Sequence, residues 1–476
     1  MPQANNVPRP IQESRRYDII IVGAGLVGCA MARQFTLEGA SVLVIEKAAD
    51  IIDGASKGNS AILHTGFDAP PGSVEQACIT QSYQDFIAIR KKLKLPLLKT
   101  GALVLAWTAD EADLLDGILE KAHQNGVTDA KRLSAKAIFK KEPQLSEQLK
   151  AGIHVPREYV IDPWTTPFVY MLQALENGAN LRCSCEVLSG EFDGKLWQLK
   201  TSQGMVQGST VINCAGLYGD LLDQQLIGSS AFHIRPRKGQ FLVYDTSAYK
   251  LLNSIILPVP NEITKGVVIC RTAFGKVIVG PTAEEQESRD DASVESTELE
   301  LLREKGESMI PALKFETVNA TYAGIRPATE FKDYCIKHYP ENSYISVGGI
   351  RSTGLSAALG IARRVYAKYA NNNHHHVPPD KIKWPTVRPI AESETRDWQL
   401  PGNEGIVCHC ERVTRREIKT ALAGKMPAAS LDGLKRRTRV TMGRCQGFYC
   451  SAQLSALTQG SFDPAIAFRA RGHKDD

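Results

Sequence analysis

The first clear pattern along the chain is a near-continuous apolar run, YDIIIV, at residues 17–22. Apolar runs without polar alternation are typical of parallel strands that are buried on both faces. The next segment, GAGLVGCAMARQFTLEG, has its apolar residues at helical spacing and ends at Gly39, after which ASVLVIEK repeats the buried-strand pattern. Together the three segments predict a βαβ unit of about 30 residues.

The middle of the chain mixes both periodicities. Helix-like segments such as ADEADLLDGILEKAHQNG alternate with strand-like ones such as GALVLAW, LWQLKTS, QFLVYD and GKVIVGPT, with Pro- and Gly-rich turns between them. Residues 342–370, NSYISVGGIRSTGLSAALGIARRVYAKYA, again predict a strand, a glycine loop and a helix. We therefore predict a disordered lead-in at residues 1–16 and one α/β domain at residues 17–370.

The composition changes after this domain. Residues 371–405 are polar and contain prolines, which predicts a linker or a surface extension. From Cys408 onward there are 13 Lys and Arg against 6 Asp and Glu, whereas the preceding 407 residues carry a net charge of −2. A basic patch can bind nucleic acid, but this one surrounds cysteines, so nucleic-acid binding is not favoured. We predict a separate domain at residues 406–476.

No stretch approaches the roughly 20 apolar residues that a membrane span needs, and the N-terminal residues lack the apolar core of a secretory signal. We therefore predict a cytoplasmic protein without a transmembrane segment. The chain has eleven cysteines. Because this number is odd and no export signal is recognised, reduced thiols and metal ligands are favoured over a disulfide framework.

A glycine motif follows the first predicted strand. Gly23, Gly25 and Gly28 form G-x-G-x-x-G between strand and helix, and Glu46 ends the next strand. The first glycine allows the tight turn, the second lets backbone N–H groups approach a pyrophosphate, and the third lets helix and strand pack closely. Glu46 would accept hydrogen bonds from the ribose hydroxyls, and its charge would repel a 2′-phosphate. The pattern predicts a dinucleotide site.

The later glycine loop favours FAD over NAD. NAD dehydrogenases usually continue with more βα repeats, whereas here DGASKGNSAILHTGFDAPPGS follows, and the second glycine loop with its helix comes some 300 residues later. FAD is longer and extends from an N-terminal dinucleotide fold to a flavin held by the far end of the chain. The helix that begins near Ser352 would direct its N-terminus at the flavin pyrimidine, where negative charge develops on reduction.

Six segments, in this order, resemble the FAD-dependent oxidoreductases of the D-amino-acid-oxidase superfamily: DIIIVGAGLVGCAMA, SKGNSAILHTGF, VINCAGLYGD, IRPRKGQFLVYD, YAGIRPA and VGGIRSTGLSAALGIA. Within it they are most similar to the large subunits of anaerobic glycerol-3-phosphate dehydrogenases and to L-2-hydroxyglutarate dehydrogenases. The resemblance implies an FAD-binding Rossmann-like domain interleaved with a mixed β-sheet substrate domain.

The resemblance also implies site residues. His64 matches a histidine beside the isoalloxazine that suits the role of base, and Arg326 matches an arginine directed at the substrate's phosphate or carboxylate. Arg351 is a second candidate anion clamp, with a structural salt bridge as the alternative, and Lys57 contacts flavin or phosphate unless it is merely exposed. The predicted cofactor contacts are Gly23, Gly25, Gly28, Glu46, Lys47, Ser56, Asn59, Ser60, Val187, Ala215, Gly216, Gly349, Gly354, Leu355 and Ser356.

Four cysteines stand out near the C-terminus: Cys408 and Cys410, then, 34 residues on, Cys445 and Cys450. The segment resembles the [2Fe–2S] domain related to bacterioferritin-associated ferredoxin, which implies a small helical domain with these four cysteines as metal ligands. Four thiolates satisfy a [2Fe–2S] cluster. Zinc is the competing interpretation, although zinc pairs usually have two to four residues between the cysteines.

The charge imbalance fits such a cluster. Four thiolates and two sulfides leave it negatively charged, so we predict that Arg436, Arg437, Arg439 and Arg444 favour its reduction and dock an acidic electron partner. The alternative is a solvated basic helix face.

These features predict an FAD-dependent dehydrogenase that oxidises glycerol 3-phosphate or a similar small anionic 2-hydroxy compound to the ketone. Electrons would then leave through the cluster to a partner subunit or a membrane quinone pathway, with peripheral association at the inner face of the membrane and oligomerisation as options. Alternatives are an L-2-hydroxyglutarate-type enzyme, an amino-acid or opine dehydrogenase subunit, and a non-catalytic electron-transfer subunit.

Overall fold

The computed structural model describes residues 15–260, 266–371, 375–463 and 465–466. Most of the predicted lead-in therefore lies outside the described residues, and Arg16, its last residue, already belongs to the first strand.

The described residues form 22 strands. In chain order these are β1 (Arg16–Val22), β2 (Val42–Ile45), β3 (Ile62–Leu63), β4 (Leu97–Leu98), β5 (Ala102–Ala106), β6 (Lys131–Ser134), β7 (Ala151–Val155), β8 (Tyr159–Ile161), β9 (Asn180–Arg182), β10 (Val187–Phe192), β11 (Trp197–Thr201), β12 (Gly204–Asn213), β13 (Ile234–Tyr244), β14 (Ile255–Pro258), β15 (Val268–Arg271), β16 (Val277–Gly280), β17 (Glu284–Glu285), β18 (Val318–Thr329), β19 (Cys335–Tyr339), β20 (Tyr344–Gly348), β21 (Ile406–Cys408) and β22 (Val413–Thr414).

The same residues form 12 α-helices. These are α1 (Leu26–Leu37), α2 (Val74–Ile89), α3 (Ala109–Asp113), α4 (Leu115–Gln124), α5 (Ala135–Phe139), α6 (Thr165–Glu176), α7 (Gly219–Ile227), α8 (Ser296–Met309), α9 (Gly354–Ala370), α10 (Arg415–Ala421), α11 (Leu431–Thr438) and α12 (Ser451–Leu457). Among the described helices, none is long and apolar enough to cross a membrane.

The first sheet has a parallel centre, in the order β9-β2-β1-β12-β20. Side chains of β1 alternate between its faces. Ile19 and Ile21 pack with α1, α2, α6 and α9, whereas Ile20 and Val22 pack against the antiparallel strands β10 and β11 and helix α7. This explains the unbroken apolar run, because both faces of β1 are covered.

The second sheet contains nine strands and includes the long antiparallel pair β13 and β18. Its strands come from two separate parts of the chain, β5–β7 and β13–β18, while the first sheet takes β1–β2, β9–β12 and β19–β20. The two domains are therefore interleaved, as predicted. A three-stranded sheet, β3-β8-β4, lies outside both large sheets.

The C-terminal domain is small. The strands β21 and β22 and the helices α10, α11 and α12 surround an apolar core that includes Val407, Val413, Ile418, Leu434 and Leu454. The predicted helical domain is confirmed, with the addition of a two-stranded sheet.

The segment before it packs closely against other parts of the chain. Ile390 and Ala391 are buried with Ala273 and Phe274, a loop of the second domain. The side chain of Arg396 is 1% exposed and contacts Glu392 at 2.7 Å. Of the two predictions for this segment, a linker or a surface extension, its contacts correspond to the extension.

One close contact fixes how α9 packs on α2. A Cβ added to Gly360 would lie 2.1 Å from the carbonyl oxygen of Cys78 in α2. We expect Gly360→Ala to lower the free energy of unfolding by about 1–3 kcal/mol or more, because the helices would have to separate. Gly117 in α4 is the matched control, since a Cβ there meets nothing within 4 Å. Gly117→Ala should raise stability by roughly 0.5–1 kcal/mol. Equal effects in urea unfolding would contradict this account.

Candidate active site and cysteine centre

A cavity of about 650 Å³ opens at the carboxyl ends of the parallel strands and reaches the second sheet. Its volume is in the usual range for ligand sites. Of the predicted residues, the following line it: Gly23, Gly25, Glu46, Lys47, Ser56, Lys57, Asn59, Ser60, Val187, Ala215, Gly216, Arg326, Arg351, Gly349, Gly354 and Leu355. The structure thus brings together residues that are up to about 330 positions apart in the sequence.

The first glycine loop is shaped by close backbone approaches. Gly23 has a φ of +104°, and a Cβ on it would lie 2.5 Å from the carbonyl oxygen of Cys214. A Cβ on Gly28 would lie 1.9 Å from the carbonyl oxygen of Gly23. Gly28 is thus behind the loop and outside the cavity, where it lets α1 pack against β1. The N-terminus of α1 faces the cavity, and Leu26 N–H donates to Ser56 Oγ at 2.9 Å.

Glu46 lies at the end of β2 with both carboxylate oxygens engaged. Oε2 accepts the N–H of Ala24 at 2.7 Å, and Oε1 accepts the N–H of Ala48 at 2.9 Å. Burial raises the pKa of the carboxyl group, although these two hydrogen bonds oppose the change. Each carboxylate oxygen can accept a second hydrogen bond, so the predicted ribose contact is compatible with this geometry.

The second glycine loop leads into α9, whose N-terminal residues Gly354 and Leu355 line the cavity. No acidic residue lies in the first turn and no side chain caps it, although the N–H of Ser356 is bonded to the carbonyl of Thr353 at 3.0 Å. The positive end of the helix therefore suits an electron-rich group. Ser356 does not line the cavity. Its buried hydroxyl donates to the carbonyl of Ile62 at 3.0 Å and accepts the backbone N–H of His64 at 2.8 Å.

His64 is held by a glutamate that the sequence did not indicate. The antiparallel pairing of β3 and β8 matches Leu63 with Tyr159, which brings the next residue, His64, beside Glu158. The Nδ1 atom of His64 lies 2.7 Å from Glu158 Oε2, and Glu158 is fully buried. Glu158 Oε1 also accepts the N–H and hydroxyl of Thr65, each at 2.6 Å. A fixed carboxylate at Nδ1 orients the imidazole ring and favours the proton on Nδ1. His64 itself does not line the cavity, and it is joined to the start of α9 through Ser356.

Arg326 reaches the cavity from β18 in the second sheet. Its Nη2 donates to the carbonyls of Thr282 at 2.7 Å and Lys238 at 3.1 Å, and its Nε donates to the carbonyl of Arg237 at 3.4 Å. Burial, with a smaller contribution from the Arg237 charge, lowers the pKa of Arg326 to about 10. The carbonyls orient a half-buried cation at the cavity wall, an arrangement that suits an anionic ligand.

Two further predicted cations have acidic partners. Arg351 Nη2 lies 3.3 Å from Glu75, which is buried, and it also donates to the carbonyl of Lys332. Arg351 therefore lines the cavity, as an anion clamp requires, and also forms the structural salt bridge, with Glu75, that was the alternative prediction. Lys57 lies 3.6 Å from Asp53, and its side chain is 45% exposed.

The four C-terminal cysteines lie near one another in space, since Cys410 interacts with Cys445 and Cys408, and Cys450 with Cys408 and Cys445. All eleven cysteines are free thiols, as predicted. Within the described parts of the chain, no three His, Cys, Asp or Glu side chains converge closely enough to hold a single ion. A [2Fe–2S] cluster takes four thiolates on two irons, so this donor set fits such a cluster.

The loop between Gly443 and Cys450 surrounds these sulfurs with backbone. A Cβ on Gly443 would lie 2.2 Å from the Cβ of Cys410, so only glycine allows Cys410 to approach. The N–H groups of Tyr449, Gly447 and Phe448 donate to Cys445 and lower the pKa of its thiol. Burial and the nearby Cys408 raise the pKa of Cys450 to about 12. The loop thus forms a cradle with donors directed at a ligand.

The prediction that the arginines of this domain dock an acidic partner is wrong for three of the four. Arg437 forms a two-pronged ion pair with Asp50, at 2.6 and 2.7 Å, and Arg436 contacts Asp53 at 3.1 Å. The side chains of both arginines are 7% exposed. These cations join the C-terminal domain to the loop after β2, so they are not available to an acidic partner.

Arg439 is buried as well, bonded to Glu411 and Glu392. Arg444 alone remains 73% exposed, and it pairs with Asp245. The sequence could not distinguish an arginine in an internal ion pair from one that is free to bind a partner. The acidic partners of all four arginines lie in other segments of the chain.

Comparisons with known proteins agree with this geometry. The model of the family "FAD dependent oxidoreductase" matches residues 18–367, and that of the "BFD-like [2Fe-2S] binding domain" matches residues 406–459. The expected cofactors, FAD and a [2Fe–2S] cluster, are thereby confirmed. The glycine cradles described above fit both groups.

Two relatives match almost the whole chain. A glycerol 3-phosphate dehydrogenase of Caloramator mitchellensis is 30% identical over 92% of this chain and 93% of the relative. One subunit of the anaerobic glycerol-3-phosphate dehydrogenase of Haemophilus influenzae is 24% identical over 92% of this chain and 84% of the relative. Among solved structures, the dithionite-reduced L-α-glycerophosphate oxidase of Mycoplasma pneumoniae with FAD bound shares the fold, with a TM-score of 0.73, 24% identity, and coverage of 79% of this chain and all of that one.

We expect Glu158→Gln to slow reduction of the flavin by substrate roughly tenfold or more, because the substitution removes the charge that orients His64. FAD binding should be unchanged, and rapid-mixing absorbance would measure the rate. Glu142→Gln is the control, since Glu142 is also buried but accepts the N–H groups of Asn253 and Ser254 outside the cavity. If both variants are reduced at the wild-type rate, His64 does not depend on Glu158.

We expect Cys410→Ser to abolish iron binding and leave FAD in place, because the two cofactors occupy different domains. Iron analysis and the visible spectrum would measure both. Cys335→Ser is the matched control, since Cys335 is a half-buried thiol of β19 in the first sheet. Full iron content in the Cys410 variant would mean that another residue is the ligand.

Proposed function

The chain belongs to the FAD-dependent oxidoreductase family, and we propose that it is a dehydrogenase that oxidises glycerol 3-phosphate to the corresponding ketone. The observation that carries this proposal is Arg326, a half-buried cation oriented by backbone carbonyls at the wall of the cavity. A substrate with a phosphate group would bind there. Relatives that match over almost the whole chain carry the name glycerol 3-phosphate dehydrogenase, which supports the phosphate over a carboxylate.

Oxidation of the alcohol requires removal of a proton and a hydride. FAD, when bound, supplies the acceptor for the hydride. In this proposal His64 is the base for the hydroxyl proton, and Glu158, 2.7 Å from Nδ1, stabilises the cation that forms at the ring. Ser356 fixes the backbone of His64 to the start of α9, so the base and the helix N-terminus keep a constant relation to each other.

Electrons leave through the C-terminal domain. The [2Fe–2S] centre supplies one-electron transfer, which a two-electron donor needs to reach a one-electron acceptor. We propose that the acceptor is a partner subunit, because one relative is named as one subunit of an anaerobic dehydrogenase.

An anaerobic titration of the purified holoprotein tests the proposed substrate. Glycerol 3-phosphate should bleach the oxidised flavin, while L-2-hydroxyglutarate, D-lactate and L-proline should not. If only a hydroxy acid bleaches the flavin, the substrate anion is a carboxylate and the proposed phosphate is wrong. If dithionite bleaches the flavin but none of these compounds does, the proposed dehydrogenase activity is wrong.

Arg326→Ala should weaken substrate binding by about 2–5 kcal/mol, because it removes a desolvated contact to the substrate anion. The change should appear in KM more than in kcat, and steady-state kinetics with an artificial acceptor would measure both. Arg303→Ala, which removes an exposed arginine of α8 with a local ion pair to Glu300, is the control. An unchanged KM in the Arg326 variant would exclude the anion contact.

A further inference from the structure

Thr441 has a backbone conformation that is unusual for its residue type. It lies between α11 and Cys445, and its φ is +64°. This left-handed region is unfavourable for β-branched residues because Cβ crowds the backbone. Strain of this kind persists where the surroundings enforce it, and it is frequent at functional sites.

The surroundings of Thr441 are those of the cysteine centre. Its side chain packs against Gly447, where a Cβ would lie 3.2 Å from both Cβ and Cγ2 of Thr441. The carbonyl of Gly447 in turn accepts the thiol of Cys450 at 3.7 Å. The left-handed conformation therefore places the Thr441 side chain beside the loop that holds a predicted iron ligand.

The hydroxyl of Thr441 is the second observation. The residue is 7% exposed, and Oγ1 is buried with no hydrogen-bond partner among the described residues. A buried hydroxyl without a partner is destabilising, so such groups normally find one. The cluster that belongs to this domain would supply sulfur acceptors.

We propose that the Thr441 hydroxyl donates a hydrogen bond to a sulfur of the [2Fe–2S] cluster, either Cys450 Sγ or a bridging sulfide, and thereby raises its reduction potential. Reduction adds negative charge to the sulfurs, and a donor stabilises the reduced state more than the oxidised one. In this proposal Thr441 acts on the cluster directly, through its hydroxyl donor. This inference concerns the cluster alone and is independent of the proposed substrate.

The test compares Thr441→Val with Thr441→Ser in the full-length holoprotein. Val keeps the branched Cβ and loses the hydroxyl, whereas Ser keeps the hydroxyl. Potentiometric titration followed by electron paramagnetic resonance should give a more negative potential for the Val variant and a wild-type potential for the Ser variant. Iron content should remain at two per chain, the number in the cluster.

Thr458→Val is the control for loss of a buried hydroxyl in the same domain. Thr458 is 3% exposed, and its hydroxyl donates to the carbonyl of Leu454 at 2.8 Å. The reduction potential of the cluster in Thr458→Val should match that of the wild type. Equal potentials for Thr441→Val and wild type would overturn the proposal, as would an equal shift in Thr441→Val and Thr458→Val.

Thr441→Gly separates the hydroxyl from the backbone strain. Glycine adopts a positive φ without penalty, so this variant should unfold at a higher temperature than Thr441→Val. Its potential should still be shifted to a more negative value, because it lacks the hydroxyl. If Thr441→Val binds no iron, the reduction potential of Thr441→Gly is compared with that of the wild type instead. A wild-type potential in Thr441→Gly would overturn the proposal.

Discussion

The structure depends on one close approach of backbone to backbone, where the loop after β1 meets the end of β12 and the start of α1. The space between Gly23, Gly28 and Cys214 admits no side chain. This contact seats α1 directly on the parallel sheet, turns its N-terminal N–H groups to the cavity, and leaves room for phosphates at the helix end. A larger residue at Gly23 or Gly28 would push the helix from the sheet and alter the cavity.

The second sheet approaches the same cavity from the other side, and its contribution differs in kind. The first sheet supplies backbone donors and small residues, whereas the second supplies Arg326 with its shell of carbonyls. Interleaving of the two domains makes this division possible, because the chain passes between the sheets several times. His64 and Glu158, the proposed base and its carboxylate, flank the paired strands β3 and β8 of the small third sheet.

Local motifs of the sequence predicted much of this arrangement. The glycine spacing, Glu46 and the four cysteines were predicted because each belongs to a short motif whose spacing has a physical cause. Glu158 was missed because its role arises from a two-residue strand pairing across 94 positions, which leaves no periodic signal. The arginines of α11 were predicted to face a partner protein because the composition shows a basic helix. It does not show that acidic residues of the loop after β2 pack against that helix.

The ion pair between Arg437 and Asp50 has a consequence for the order in which the protein assembles. The two residues are 387 positions apart, and in the finished structure both are almost fully shielded from water. During synthesis Asp50 emerges long before its partner, so it remains hydrated until α11 leaves the ribosome. The acidic loop after β2 is thus a docking surface that is completed last, and a chain stopped before residue 430 would leave it exposed to solvent.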